Sequence, residues 1–122
     1  MHPSRSAARL TSAFAVIAAA LALAGAALAA PAHRTGTTIK VTAVEFKFTL
    51  SPTTARAGSV KFTIVNKGKL AHDFAIAGRK SALIQPGKTG RLTVTLKAGK
   101  YPYKCTVPGH AAAGMKGTLI VR

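Results

Sequence analysis

From Thr37 onward, apolar and polar residues alternate with a period of two. Ile39, Val41 and Ala43 alternate with Lys40, Thr42 and Val44, and Phe46 and Phe48 with Glu45, Lys47 and Thr49. The same rhythm returns in Val60, Phe62 and Ile64 against Lys61, Thr63 and Val65, and in Leu92, Val94 and Leu96 against Arg91, Thr93, Thr95 and Lys97. Side chains of a strand point alternately to its two faces, so each run is a strand with one face buried. Ala57-Gly58, Asn66-Lys67-Gly68, Gly78, Pro86-Gly87 and Ala98-Gly99 punctuate the runs as turns. Phe74–Ile76, Tyr101–Cys105 and Gly117–Val121 add shorter pieces. The pattern predicts an all-β fold of about seven or eight strands, with two sheets packed as a sandwich so that each buries one face. No long apolar period near 3.6 occurs after residue 30; Ser81–Gln85 has room for one helical turn at most. Outward positions are largely Lys, Arg and Thr, which solvate the faces and discourage edge-to-edge pairing.

The first thirty residues follow a different rule. Arg5 and Arg9 precede an unbroken apolar or Gly run from Ala13 to Ala30, and Ala27-Leu28-Ala29 offers small residues at an A-x-A site. This is the arrangement of a secretory signal peptide. We place it at residues 1–29, followed by a flexible lead-in over 30–36 and a domain over 37–122. A retained membrane anchor is the rival reading, since ~17–25 apolar residues span a bilayer. The run is Ala-rich rather than Leu-rich, which favours cleavage. Cutting one residue later would put Pro31 first and make Pro31-Ala32-His33 a copper(II)-chelating amino terminus; a cut before Pro is disfavoured. The protein is therefore expected to be exported, periplasmic or otherwise extracytoplasmic, with no membrane span once the leader is removed.

Composition narrows the chemistry. The 122 residues hold 18 Lys+Arg against 2 Asp+Glu, for a formal charge of +16. A lone Cys makes no internal disulfide, so an exported domain of this size needs close packing, a metal or both. Glu45 and Asp73 are the only carboxylates, which leaves no carboxylate pair for acid–base catalysis.

The remaining donors cluster. Cys105, His110 and Met115 lie on one stretch, Cys105-Thr-Val-Pro-Gly-His110-Ala-Ala-Ala-Gly-Met115, and His72 follows the Asn66–Gly68 turn. Alone, each has an ordinary explanation: a small buried thiol, a structural or surface imidazole, a packed thioether. Together they are the soft donors that copper prefers, and two His, one Cys and a long axial Met are the recurring set of an electron-transfer copper site. Beyond the leader the chain has one Cys, three His and one Met, and four of those five residues fall in this group.

The segments Gly58-x-Val60-x-Phe62-x-Ile64-x-Asn66-x-Gly68, His72-Asp73-Phe74 and Tyr103-x-Cys105-x₄-His110-x₄-Met115-x-Gly117-x-Leu119 resemble the cupredoxins, the plastocyanin/azurin family of type 1 blue copper proteins. The resemblance runs from Thr37 to Arg122, and the loop spacing is similar to that of rusticyanin or auracyanin. It implies a Greek-key sandwich with one copper ion near one end, His72, Cys105 and His110 as equatorial ligands, and Met115 as axial ligand. Many family members carry Asn after the first His; here Asp73 stands there. Its carboxylate either opposes added negative charge and favours Cu(II), or accepts backbone N–H bonds from the Cys105–Thr106 region and fastens the two ligand segments.

A thiol-nucleophile enzyme lacks a third orienting group and has no use for Met115. A multicopper enzyme needs more ligands than His33 supplies. The expected function is a one-electron carrier that is not an enzyme. The alternative is a periplasmic copper-binding protein for storage, delivery or resistance. The positive charge suits an acidic redox partner or an anionic envelope surface. Nucleic acid is not expected, because the basic residues are spread over strand faces and an exported protein seldom meets it. A monomer is expected.

Overall fold

The computed structural model describes residues 36–122. The expected leader over 1–29 and all of the lead-in except Gly36 lie outside the described residues. Nine strands are present among them: β1 (Thr37–Val44), β2 (Lys47–Ser51), β3 (Thr54–Ala55), β4 (Gly58–Asn66), β5 (Ala75–Ile76), β6 (Arg79–Lys80), β7 (Thr89–Leu96), β8 (Gly99–Lys104) and β9 (Lys116–Val121). The sandwich and the long strands are those that the alternation predicts. β5 is the short Phe74–Ile76 piece; the higher count comes from β3 and β6, two residues each, too short to register as a period.

One sheet has four strands in the order β2-β1-β4-β7, the other five in the order β3-β9-β8-β5-β6. The chain switches sheets after β2, β3, β4, β6 and β7, as a Greek-key sandwich requires. Both sheets are mixed: β1 runs parallel to β4 and β3 parallel to β9, and every other pair is antiparallel. No helix among the described residues is long and apolar enough to cross a membrane.

The core lies between the sheets. Ile39, Val41, Val60, Phe62, Ile64, Phe74 and Leu119 are fully buried. Burying a side chain of this kind stabilises by ~1.5–3 kcal/mol. Phe74 is the hub, its ring 4.9 Å from Phe62, 5.3 Å from Phe48 and 5.4 Å from Tyr103, centroid to centroid. Because Phe74 lies two residues after His72, the cluster fixes the strand that leaves the candidate ligand.

Two expectations need correction. Phe46 is not an inward strand position. It sits with Glu45 in the tight turn between β1 and β2, 38% exposed, while Phe48 is buried as expected. Ser81–Gln85 holds no helical turn. Ile84 instead bridges to His72, its N–H donating to the His72 carbonyl at 2.7 Å and its carbonyl accepting from the His72 N–H at 3.1 Å. Pairing both backbone groups of His72 satisfies a buried segment that a free-standing turn would leave open.

Candidate metal centre

His72, Cys105, His110 and Met115 are all buried at one end of the sandwich. One atom each from His72, Cys105 and His110 lies within 4.8 Å of the others. His72 Nδ1 is 3.1 Å from His110 Nδ1, and Cys105 Sγ is 3.9 Å from the first and 3.6 Å from the second. A trigonal ion held at ~2.0–2.3 Å bond lengths separates its ligands by about 3.5–3.9 Å; the two edges to Cys105 Sγ match one small metal ion, and the 3.1 Å edge between the imidazoles is shorter. Burial pushes the Cys105 thiol above its ordinary range, and a bound cation offsets that cost by taking the thiolate.

The Cys105–Met115 loop folds on itself. Cys105 N–H donates to the Met115 carbonyl at 3.0 Å, and Met115 N–H to the His110 carbonyl at 3.1 Å. His110 N–H donates to Val107 O, and Ala113 N–H to Gly109 O. Gly109 (φ 83°) and Gly114 (φ 116°) adopt left-handed backbone immediately before His110 and Met115. Only glycine does so readily, and both turns are needed to bring the loop back to Met115.

The His72 arm is fixed from outside. Buried Asn66 donates through Nδ2 to the carbonyls of Leu70 at 2.8 Å and Ile84 at 2.9 Å, and its Oδ1 accepts from Gly68 N–H at 2.9 Å. Asp73 takes up the fastening role considered above: Oδ1 accepts from Thr106 N–H at 2.6 Å, and Oδ2 from the Thr106 hydroxyl. It thereby ties the residue after His72 to the residue after Cys105.

Sequence reading missed Glu45. Its Oε1 accepts from Leu70 N–H at 2.7 Å and Lys69 N–H at 2.9 Å, and lies 3.0 Å from His72 Nε2. These bonds, that from Leu70 foremost, hold its carboxyl down to about 2. An ionised carboxylate only accepts, so Nε2 carries the His72 proton and Nδ1 presents its lone pair to Cys105 and His110. Gly68 leaves room for this contact, since a Cβ there would press on the Glu45 carboxylate. The available signal was the lone Glu in a chain of basic residues.

His110 is 8% exposed, and its ring meets Phe46 edge-on at 5.0 Å. Ala112, Ala113 and Gly114 are exposed beside it, so the outer side of this end is small and apolar, with the Phe46 ring as an unforeseen part.

The cupredoxin-like domain family matches residues 13–121, and the chain belongs to that family. Its sequence is similar to auracyanin-B of Chloroflexus aurantiacus, 50% identical over 42 residues that make up 34% of this chain and 18% of that protein. The copper-resistant cuproprotein CopI of Pseudomonas aeruginosa is 46% identical over 43 residues, 34% of this chain and 24% of that one. CopI of Rubrivivax gelatinosus is 26% identical over 92 residues, 57% and 56% of the two. The matches thus span between just under a fifth and just over half of these relatives. In three dimensions the chain is similar to the dithionite-reduced auracyanin of Roseiflexus castenholzii, with a TM-score of 0.59 and 23% identity, covering 71% of this chain and 98% of that one. Auracyanin A of Chloroflexus aurantiacus, a blue copper protein, gives a TM-score of 0.58 at 24% identity, covering 70% and 98%. These structures establish the sandwich. With the family and the donor set together, the cofactor is one type 1 copper ion.

Proposed function

We propose that the protein is an exported one-electron carrier in which His72, Cys105 and His110 hold copper in a plane and Met115 provides a weak axial donor. Copper supplies a one-electron Cu(II)/Cu(I) couple; no substrate bond is made or broken. The chain's part is to keep the donors in one arrangement in both oxidation states. The observation that carries the reading is the buried triangle of one thiol and two imidazole nitrogens. The doubly bridged backbone of His72 and the self-bonded loop both oppose rearrangement. Met115 is fully buried at the end of that loop. The apolar side of His110 suits close, brief contact with a redox partner, and the basic surface suits an acidic one. Export follows from the leader pattern in residues 1–29, and the protein acts as a monomer.

Titration of the purified protein with copper(II) should give an intense visible copper–thiolate absorption at one ion per chain. Cys105→Ser should abolish it while leaving the fold intact by circular dichroism. Survival of the band without the thiol would refute the ligand set.

Two relatives carry the name copper-resistant cuproprotein, which favours a second reading as a copper-holding resistance protein. Competition with a copper(I) chelator separates the two. A carrier keeps its ion through many redox cycles, whereas a holding protein releases copper to the chelator within a single reduction.

A further inference from the structure

The outer face of the five-stranded sheet carries a groove of about 810 Å³ whose lining includes Ala75, Arg79, Lys80, Pro102, Lys104 and Lys116. Strand register puts four of these in one row. Lys80 pairs with Ala75, Ala75 with Lys104, and Lys104 with Lys116. Residues directly opposite in antiparallel strands point to the same side, so three ammonium groups share a line across β6, β5, β8 and β9. Strands lie ~4.7–4.9 Å apart, which makes the row about 14 Å long.

Among the described residues no side chain neutralises this row. No Asp or Glu lines the groove. Asp73, two positions before Ala75, is buried and accepts from Thr106, and Glu45 accepts from Lys69, Leu70 and His72. No lysine or arginine among the described residues forms an ion pair. Lys104 and Lys116 face each other directly, a pairing of like charges that costs stability. The four-stranded sheet avoids it: Lys40 lies beside Ser51 and Thr63, Lys61 beside Thr38 and Thr93, and Arg91 beside Thr63.

We propose that this lysine row is a docking groove for an extended acidic segment of a partner protein. In an extended chain alternate side chains point the same way and recur every ~6.6 Å. Carboxylates at three alternate positions therefore cover about 13 Å and match the length of the row, within which Ala75 sets Lys80 two strands from Lys104. Ala75 and Pro102 give the intervening residues an apolar floor. A peptide fits better than a nucleic acid, because the aromatic ring of the lining, Tyr103, is already stacked on Phe74 and offers no free platform for a base. The groove touches the metal centre from behind: Lys104 precedes Cys105 and Lys116 follows Met115. The proposal holds whether copper is shuttled or stored.

The test is a titration of the copper(I)-loaded protein with the peptide Glu-Thr-Glu-Thr-Glu, followed by amide NMR at low salt. Shifts should concentrate on β5, β6, β8 and β9. Lys104→Glu and, three strands from Lys116, Lys80→Glu should each weaken binding about five- to tenfold. Lys61→Glu, on the other sheet, should change it less than about twofold. Lys80→Glu is remote from the ligands and keeps the test valid should Lys104→Glu disturb copper. Equal losses for Lys61→Glu and Lys80→Glu, or shifts spread over both sheets, would overturn the proposal and leave only general polyelectrolyte attraction. Tighter binding of a thymidine oligonucleotide of equal charge at the same lysines would overturn the choice of a peptide.

Discussion

The Cys105–Met115 loop keeps its shape with its own backbone, whereas the arm ending in His72 is held by Glu45, Asn66 and Ile84 from other parts of the chain. In the first, three donors are set by spacing and two glycines. In the second, one donor is set by a network of buried polar groups. A local device tolerates change elsewhere in the molecule. A network fails when any member is removed, because each buried partner it abandons keeps its desolvation cost.

Breaking the network should therefore cost more than altering the loop's surface. Asn66→Ala leaves the Ile84 carbonyl with the His72 N–H alone, takes the Asn66 donor from the Leu70 carbonyl and frees the Gly68–Leu70 turn; a stability loss of about 3 kcal/mol is expected from denaturant midpoints. A loss under about 0.5 kcal/mol would mean that the arm is not held this way. Glu45→Ala should lower copper affinity about 10–100-fold. It should also release the Nε2–H tautomer of His72, which nitrogen NMR of the copper-free protein reads directly. Unchanged tautomer populations would show Glu45 to be a passive neighbour. Asp73→Ala removes both bonds to Thr106 and should cost about 2 kcal/mol, with faster hydrogen exchange at Thr106 as its local signature. Ala112→Glu should alter stability by less than about 0.5 kcal/mol, since the site is exposed. It should leave the visible spectrum unchanged while slowing electron exchange with an acidic partner. An unaffected rate would remove the His110 end as the point of contact.

The same contrast explains what could be read from the sequence. Alternation in Ile39–Ala43, Val60–Ile64 and Leu92–Leu96 maps onto buried positions because a strand's two faces are a local property. Cys105, His110 and Met115 were legible for the same reason, and His72 because soft donors are few in this chain. Glu45 was not: its contact with His72 depends on where a β1–β2 turn meets a loop more than twenty residues later. Phe46 was misjudged because the run Phe46-Lys47-Phe48 alternates correctly while the turn occupies its first residue. The Ile84 bridge to His72 left no periodic trace at all, since a single pair of bonds has no period. The lysine row became visible once strand register was known, as Lys80, Lys104 and Lys116 are scattered in sequence.

The parallel pairing of β3 with β9 also clasps together two parts of the domain that are distant in sequence. Thr54 pairs with Ile120, Arg122 N–H donates to the Ala55 carbonyl, and Ala57 N–H donates back to Arg122 O. The four-stranded sheet is complete within residues 37–96, whereas the five-stranded sheet needs β3 from before β4 and β9 from after the ligand loop. Cys105 and Met115 lie between β8 and β9, so this clasp also bears on the segment that carries three of the four donors. β9 thus joins Met115 at one end to Ala55 at the other, so a substitution at the clasp is a change to the support of the ligand loop.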